Sequence, residues 1–249
     1  MIIKTSGIVI FEQTILEKDK LLTILTKKEG LIRAFAKGAK NFLRCNSSAF
    51  SLFCYSDFIL YKTKNSYNLG EACSIKYFFD LRYNLEKLSL AEYFCELIIN
   101  LSVQPQESNK ILRLMLNSLH FLLEETLDKS ILKSIFEIRI LCASGYSPNL
   151  CCCKKCLSRK DDGFYLVSIE GCIYCKKCLY TTKNRFIELS RGTLLALRHI
   201  VSSSLEKAFY FSLSEENKRN FCKTCEEYTI SCIEKKINTL VFYKQICKI

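Results

Sequence analysis

The chain has no tryptophan, two prolines and two histidines among 249 residues. The histidines, His120 and His199, both fall within helical periodicity. Neither begins the H-x-E of a zinc deaminase or belongs to an H-E-x-x-H metalloprotease. A G-x-x-x-x-G-K-[ST] phosphate loop is missing, as is a G-x-S-x-G nucleophile elbow. Acidic pairs such as Glu124-Glu125 and Asp161-Asp162 are adjacent in sequence and read as solvated surface. These absences leave little material for catalysis, and the chain is expected not to be an enzyme. No apolar run approaches the twenty or so residues of a membrane span, and Met1-Ile2-Ile3-Lys4 does not open a signal peptide. A cytoplasmic protein with no membrane partner is expected.

Cysteine and positive charge are abundant instead. The sixteen cysteines would mark a disulfide scaffold in a short secreted chain, but here they gather at metal-site spacing. Cys153-Lys-Lys-Cys156 and Cys175-Lys-Lys-Cys178 are two C-x2-C pairs separated by eighteen residues, the pattern of a four-cysteine zinc ribbon. Four sulfur ligands leave no open position, so one structural zinc ion is expected at Cys153, Cys156, Cys175 and Cys178. Lys154, Lys155, Lys176 and Lys177 are placed to screen the negative cluster. Cys172 makes an overlapping pair with Cys175, so a slipped second knuckle is an alternative. The Lys-Lys centre shared with the first knuckle favours Cys175 and Cys178. The outlying Cys222-Lys-Thr-Cys225 has no second pair beside it, and Cys225 lies on an apolar stripe with Phe221 and Tyr228. It is read as core, like Cys54, Cys95 and Cys142.

Net charge is +12, with Phe and Tyr supplying core mass in place of tryptophan. Such a surplus points to a polyanion partner. Half of it lies in residues 1–76, with twelve Lys/Arg against six Asp/Glu. There, runs of β-forming residues recur around Ser6–Ile15, Lys20–Thr26, Leu31–Ala36, Ala49–Lys62 and Tyr67–Tyr77. Gly30 marks a hairpin turn after Lys27-Lys28-Glu29. Five short strands fit an OB-type barrel, with an SH3-like barrel nearly as good. The stretch Ala36-Lys37-Gly38-Ala39-Lys40-Asn41-Phe42-Leu43-Arg44 pairs small residues with cations spaced to follow phosphates. Lys27, Lys28, Arg33, Lys37, Lys40 and Arg44 form the candidate DNA surface, with Phe42 a candidate stacking residue.

Helical periodicity follows over Leu85–Ser102, Gln106–Glu125 and Lys129–Ala143, faces expected to pack as a bundle. Pro105 separates the first two, and Gly145 with Pro148 ends the third. The ribbon is then an insertion, at about residues 150–180, in a helical region that resumes over Leu189–Val201 and Glu215–Ile246. The expected class is α+β: a barrel domain over residues 1–80 and a helical domain over 81–249.

This order of parts resembles the RecO family of bacterial recombination mediators over nearly the whole chain. The resemblance is carried by Asp19–Gly30, Ala36-Lys37-Gly38-Ala39-Lys40, Ala91-Glu92-Tyr93 with Glu96-Leu97, Phe136-Glu137-Ile138-Arg139, Gly145-Tyr146-Ser147-Pro148 with Leu150, the two cysteine pairs, and the closing helix toward Lys244. It implies an N-terminal OB fold and a helical C-terminal domain holding the zinc ribbon. It further implies binding to single- and double-stranded DNA, annealing of complementary strands, and help in loading the recombinase RecA onto strands coated by single-strand-binding protein. The implied partners are RecR and the acidic tail of that coating protein, and the implied place is the cytoplasm, at the nucleoid. The chain departs from the family at Glu170-Gly171-Cys172, where members often carry Gly-Gly. Two rival readings start from the ribbon: a sequence-specific DNA-binding regulator that uses it as a reading head, and a zinc-stabilised adaptor between proteins.

Overall fold

The computed structural model describes residues 1–16, 19–36, 47–64, 66–101, 104–159 and 163–248. The candidate contacts Lys37, Lys40, Phe42 and Arg44 and the pair Asp161-Asp162 lie outside the described residues. The strands β1 (Ile2–Leu16), β2 (Asp19–Thr26), β3 (Leu31–Ala36), β4 (Cys54–Lys62) and β5 (Tyr67–Tyr77) form a closed barrel in the order β1-β2-β3-β5-β4. Strand β1 closes it by serving two neighbours. Its first half pairs with β4 and its second with β2, both antiparallel, and Gly7 takes part in both ladders, opposite Ser56 and Thr26. A Cβ at Gly7 would lie 2.8 Å from the Leu25 carbonyl oxygen and 2.9 Å from Ile24 Cγ2, so a side chain there would part the strands. A parallel contact between β3 and β5, Ala34 opposite Tyr67, completes the ring. This is the OB barrel rather than the SH3-like alternative.

Alternation sorts the side chains. Val9, Leu22, Ile24, Ile32, Ala34, Phe58 and Leu60 fill the interior. The β2–β3 turn is tied by Thr26, whose backbone N–H and hydroxyl both donate to the Gly30 carbonyl, at 3.0 and 2.8 Å, with Gly30 at φ +77°. Ser108, at the start of α2 (Ser108–Glu124), donates its hydroxyl to the Thr26 carbonyl and fastens helix to turn.

The helices α1 (Leu85–Asn100), α2 and α3 (Lys129–Ala143) fall within the segments expected from periodicity. Their packing differs from a single bundle. The chain forms two compact units, residues 1–123 with 239–249 and residues 124–238. Helix α1 belongs to the first with the barrel. Helix α3 packs against α4 (Arg191–Ser202) and α5 (Glu215–Ile233) in the second. The reason lies in α3 itself, whose run from Ile131 to Ile138 and then Ile140 and Leu141 is buried all round. A helix of that kind needs covering on every side. The expected helix Glu215–Ile246 is two: Glu234 turns left-handed at φ +54°, and α6 (Asn238–Cys247) starts afresh, with the Glu96 carboxylate accepting from the Thr239 amide at 2.8 Å. Among the described residues no helix is long and apolar enough to cross a membrane.

The Phe136-Glu137-Ile138-Arg139 stretch does structural work in the second unit. Glu137 is fully buried and meets the Lys133 ammonium at 2.8 Å, which Glu226 of α5 also reaches at 3.0 Å. Burial pulls the Lys133 ammonium toward neutrality, but the two carboxylates outweigh it and hold the charge. Arg139 donates to the Ile200 and Ser203 carbonyls, both at 2.9 Å, and so closes the C-terminal end of α4. Replacing Lys133 by methionine strands the Glu137 charge in the interior. The Lys133→Met variant is expected to lose about 3–5 kcal/mol in urea unfolding; a loss under about 1 kcal/mol contradicts the ion-pair account.

Candidate metal centre and nucleic-acid face

The second unit carries the cysteine pairs on a small three-stranded sheet, β7-β6-β8, made of β6 (Phe164–Val167), β7 (Cys172–Cys175) and β8 (Ile187–Leu189). The first knuckle folds back so that the Leu157 amide donates to the Cys153 carbonyl at 3.0 Å and the Cys153 amide to Ser158 at 2.9 Å. Its Lys154 amide donates to Ile173 at 2.8 Å, which fixes the knuckle against β7. In the second, the Cys178 amide donates to the Cys175 carbonyl at 2.9 Å. The sulfurs of Cys153, Cys156, Cys175 and Cys178 thereby lie within 4.8 Å of one another. Those of Cys156 and Cys175 are 3.6 Å apart, close to the ~3.8 Å between sulfurs around a tetrahedral ion with Zn–S of ~2.3 Å. Cys172 is not in the group. It faces Val167 across the β6–β7 ladder, so the slipped register does not form.

The electrostatics of the four thiols favour a cation. At Cys153 burial pushes the thiol up, but the backbone N–H groups of Cys156, Cys175 and Lys155 outweigh it and bring it down to about 6. The Cys178 thiol is pushed up to about 12 by desolvation and then by its three neighbours. The Cys153 thiolate forms readily, and Cys175 and Cys178 resist ionising beside it. A divalent ion reverses that repulsion, and the donor set is compatible with zinc.

The largest surprise is Glu170, the residue at the departure from the family pattern. Its carboxylate accepts from Lys154 Nζ at 2.7 Å, Tyr174 Oη at 2.8 Å, Asn184 Nδ2 at 3.0 Å and Thr182 Oγ1 at 3.2 Å. It therefore links the first knuckle to β7 and to the segment after the second knuckle. The Lys154 and Tyr174 hydrogen bonds hold its carboxyl down at about 2. Lys154 thus answers Glu170, while Lys155 places its ammonium 5.8 Å from the Tyr180 ring centroid. Behind the ribbon, Arg198 of α4 donates to the Leu150 carbonyl at 2.8 Å. Tyr228 of α5 donates to the Tyr146 carbonyl at 3.0 Å. The sequence marks Glu170 only as a departure from the family's Gly-Gly, and its linking role is not legible there because its partners come from four separate positions.

The remaining singled-out residues have structural places. Cys225 is buried, and its burial pushes the thiol up. Cys222 points its thiol at the Ser130 carbonyl, 3.5 Å away. His199 is held between the Lys207 carbonyl at 3.0 Å and the Ser203 hydroxyl at 3.2 Å, and His120 is exposed.

On the barrel the described candidates separate. Lys27 and Lys28 line a groove of about 750 Å³ with Lys4, Ser6, Asp57 and Ile59. Arg33 stands on the outer face of β3, in the row Phe11–Thr23–Arg33 that crosses β1, β2 and β3. The next row is Gln13–Leu21–Phe35. Phe11 is 50% exposed and Phe35 38%, so Phe35 stands beside the cation on β3 and Phe11 two strands away on β1. The alternation Ile32-Arg33-Ala34-Phe35-Ala36 puts Arg33 and Phe35 on the same side. That alternation is legible in the sequence, and it marks Arg33 and Phe35 as an outward pair.

Comparison with known proteins places these features in one family. Residues 1–78 match the family described as "Recombination protein O N terminal" and residues 82–240 the one described as "Recombination protein O C terminal". Proteins named DNA repair protein RecO are similar over the full length. The one from Acetivibrio thermocellus is 34% identical, across 99% of this chain and 98% of its own. That from Clostridium perfringens is 32% identical, across 98% of each. That from Alkaliphilus metalliredigens is 26% identical, across 99% of this chain and all of its own.

Two outcomes follow from the ribbon geometry. Cys153→Ser is expected to lower bound zinc, measured by plasma mass spectrometry on dialysed protein, from one ion per chain to well under half; full metal content contradicts the ligand set. Glu170, with its carboxyl depressed from an ordinary 4.5, stabilises the ribbon above that value and loses this contribution as pH falls toward about 2. Glu170→Gln is expected to cost about 1–3 kcal/mol at neutral pH and less as the pH falls through that window. An equal cost at both ends contradicts it.

Proposed function

The chain belongs to the RecO family of DNA repair proteins, and on that basis we propose that it is a non-enzymatic recombination mediator. It binds single- and double-stranded DNA, anneals complementary strands and helps load RecA onto strands coated by single-strand-binding protein. The observation that carries the reading is a face of the closed OB barrel that presents Arg33 and Phe35 side by side on β3 and the exposed Phe11 two strands away on β1. Aromatic rings accept bases of any identity, and the cation beside them neutralises the backbone. Lys27 and Lys28, in their separate groove, and Lys37, Lys40 and Arg44 are the further phosphate contacts in this reading. Residues 1–80 form the DNA-binding domain in this reading, and residues 81–249 the helical domain that carries the ribbon.

Annealing needs no covalent step. Two strands repel through their phosphates, and a protein that neutralises both lowers that barrier while leaving the bases free to pair. One zinc ion, held by Cys153, Cys156, Cys175 and Cys178, fixes the two knuckles and supplies no reactive position. RecR and the acidic tail of single-strand-binding protein are the partners, and the cytoplasm, at the nucleoid, is the place of action. A sequence-specific reading head is less well supported: among the described residues 147–189 there is no α-helix, only strands of three or four residues and single turns.

The test is fluorescence anisotropy of labelled single strands of differing sequence across a salt series. Arg33→Ala/Phe35→Ala is expected to weaken binding about ten-fold or more on every sequence and to reduce the salt slope by about 0.7. Lys37→Ala/Lys40→Ala reduces it by about 1.4. Preference of the parent protein for one duplex site, or no measurable affinity at physiological salt, contradicts the proposal.

A further inference from the structure

The ribbon carries more positive charge than its metal centre can account for. Residues 149–190 hold eight Lys/Arg and four Asp/Glu. Four thiolates around one zinc leave a net of about two negative charges, so screening the cluster uses about half of the surplus. Lys154 is already occupied by Glu170. Lys155, Lys176, Lys177, Lys183 and Arg185 are all exposed.

Aromatic rings stand among these cations. Tyr180 is 84% exposed, directly after the second knuckle, with the Lys155 ammonium over its ring. Phe186 is half exposed, and the Tyr165 ring meets it edge-on at 5.4 Å, which holds it at the surface. Phe186 lines a groove of about 950 Å³ together with Lys183, Asn184 and Arg185. An aromatic this exposed forgoes the burial that normally stabilises it, and two such rings interleaved with cations match the stacking and phosphate contacts of single-strand binders.

We propose that this ribbon face, Tyr180 and Phe186 with Lys155, Lys177, Lys183 and Arg185, is a second contact for single-stranded nucleic acid, separate from the barrel. It rests on the reading of the chain as a DNA-binding protein and adds to it a place for another strand. With one strand on the barrel and one on the ribbon, a single chain can hold both partners of an annealing reaction. Stacking on the ribbon is sequence-tolerant, since every base has a π-face.

The test uses the full-length, zinc-loaded protein and two readouts, annealing of uncoated complementary strands and photo-cross-linking of 5-iodouridine strands, with anisotropy of labelled oligothymidylate as control. Tyr180→Ala/Lys183→Ala/Arg185→Ala is expected to keep its zinc and its thermal midpoint. It should slow annealing about ten-fold, while oligothymidylate affinity falls by less than about three-fold because the barrel still binds. Tyr180→Phe keeps the ring and is expected to anneal like the parent. Cross-links in the parent should fall on Tyr180 or Phe186 as well as on the barrel. Unchanged annealing in the triple variant, with the parent cross-linked on the barrel alone, overturns the ribbon contact and leaves the barrel reading intact. A parent that does not bind oligothymidylate overturns both. A labelled Asp/Phe peptide that binds the parent and not the triple variant, with annealing unchanged, assigns the face to an acidic peptide and overturns the proposal.

Discussion

Four sulfurs within 4.8 Å of one another make up the constraint from which the second unit can be followed outward. Thiolates so close repel, and the backbone is arranged to relieve that repulsion only in part: amides turn toward Cys153, while Cys178 stays hard to ionise. The knuckles hold these four thiols together. They are then tied to the sheet by the Lys154 amide and by Glu170, and to α4 by Arg198 at the Leu150 carbonyl. Helix α4 is closed in turn by Arg139 of α3, and α3 is joined to α5 by Lys133 between Glu137 and Glu226. The motif residues of this unit form one continuous series of polar contacts from metal centre to helix core.

The barrel solves a different problem. A five-stranded ring of this size needs one strand long enough to pair twice, and β1 does so by crossing at Gly7, where a side chain has no room. The β3–β5 seam that closes the ring holds the pairs Ala34–Tyr67 and Phe35–Asn68. The outward side chains on β1, β2 and β3 include Phe11, Arg33 and Phe35. In the proposed function these side chains meet a ligand by its backbone and base faces, not by strand addition.

Much of this could be read from residues alone, for physical reasons. Strand alternation and the Gly30 turn mark the five strands, and helical periodicity marks α1 to α3, because burial on one face imposes a period. The cysteine pairs are legible because thiolates must converge in fixed steps. What sequence conceals is packing between distant elements. Whether five strands close as an OB or an SH3-like barrel depends on the β3–β5 pairing, which no local pattern encodes. The separation of α3 from α1 and α2 depends on covering a helix buried all round. The role of Glu170 depends on four partners gathered from Lys154 to Asn184. The left-handed turn at Glu234, which divides the last helical stretch, carries neither glycine nor proline to announce it.

The most direct measurement of the account is the rate at which complementary DNA strands, each coated with the cognate single-strand-binding protein, anneal with and without this protein in the absence of any nucleotide triphosphate. The account predicts acceleration that is indifferent to strand sequence and fades as salt rises. No acceleration by folded, zinc-loaded protein, or acceleration confined to one sequence, would contradict it.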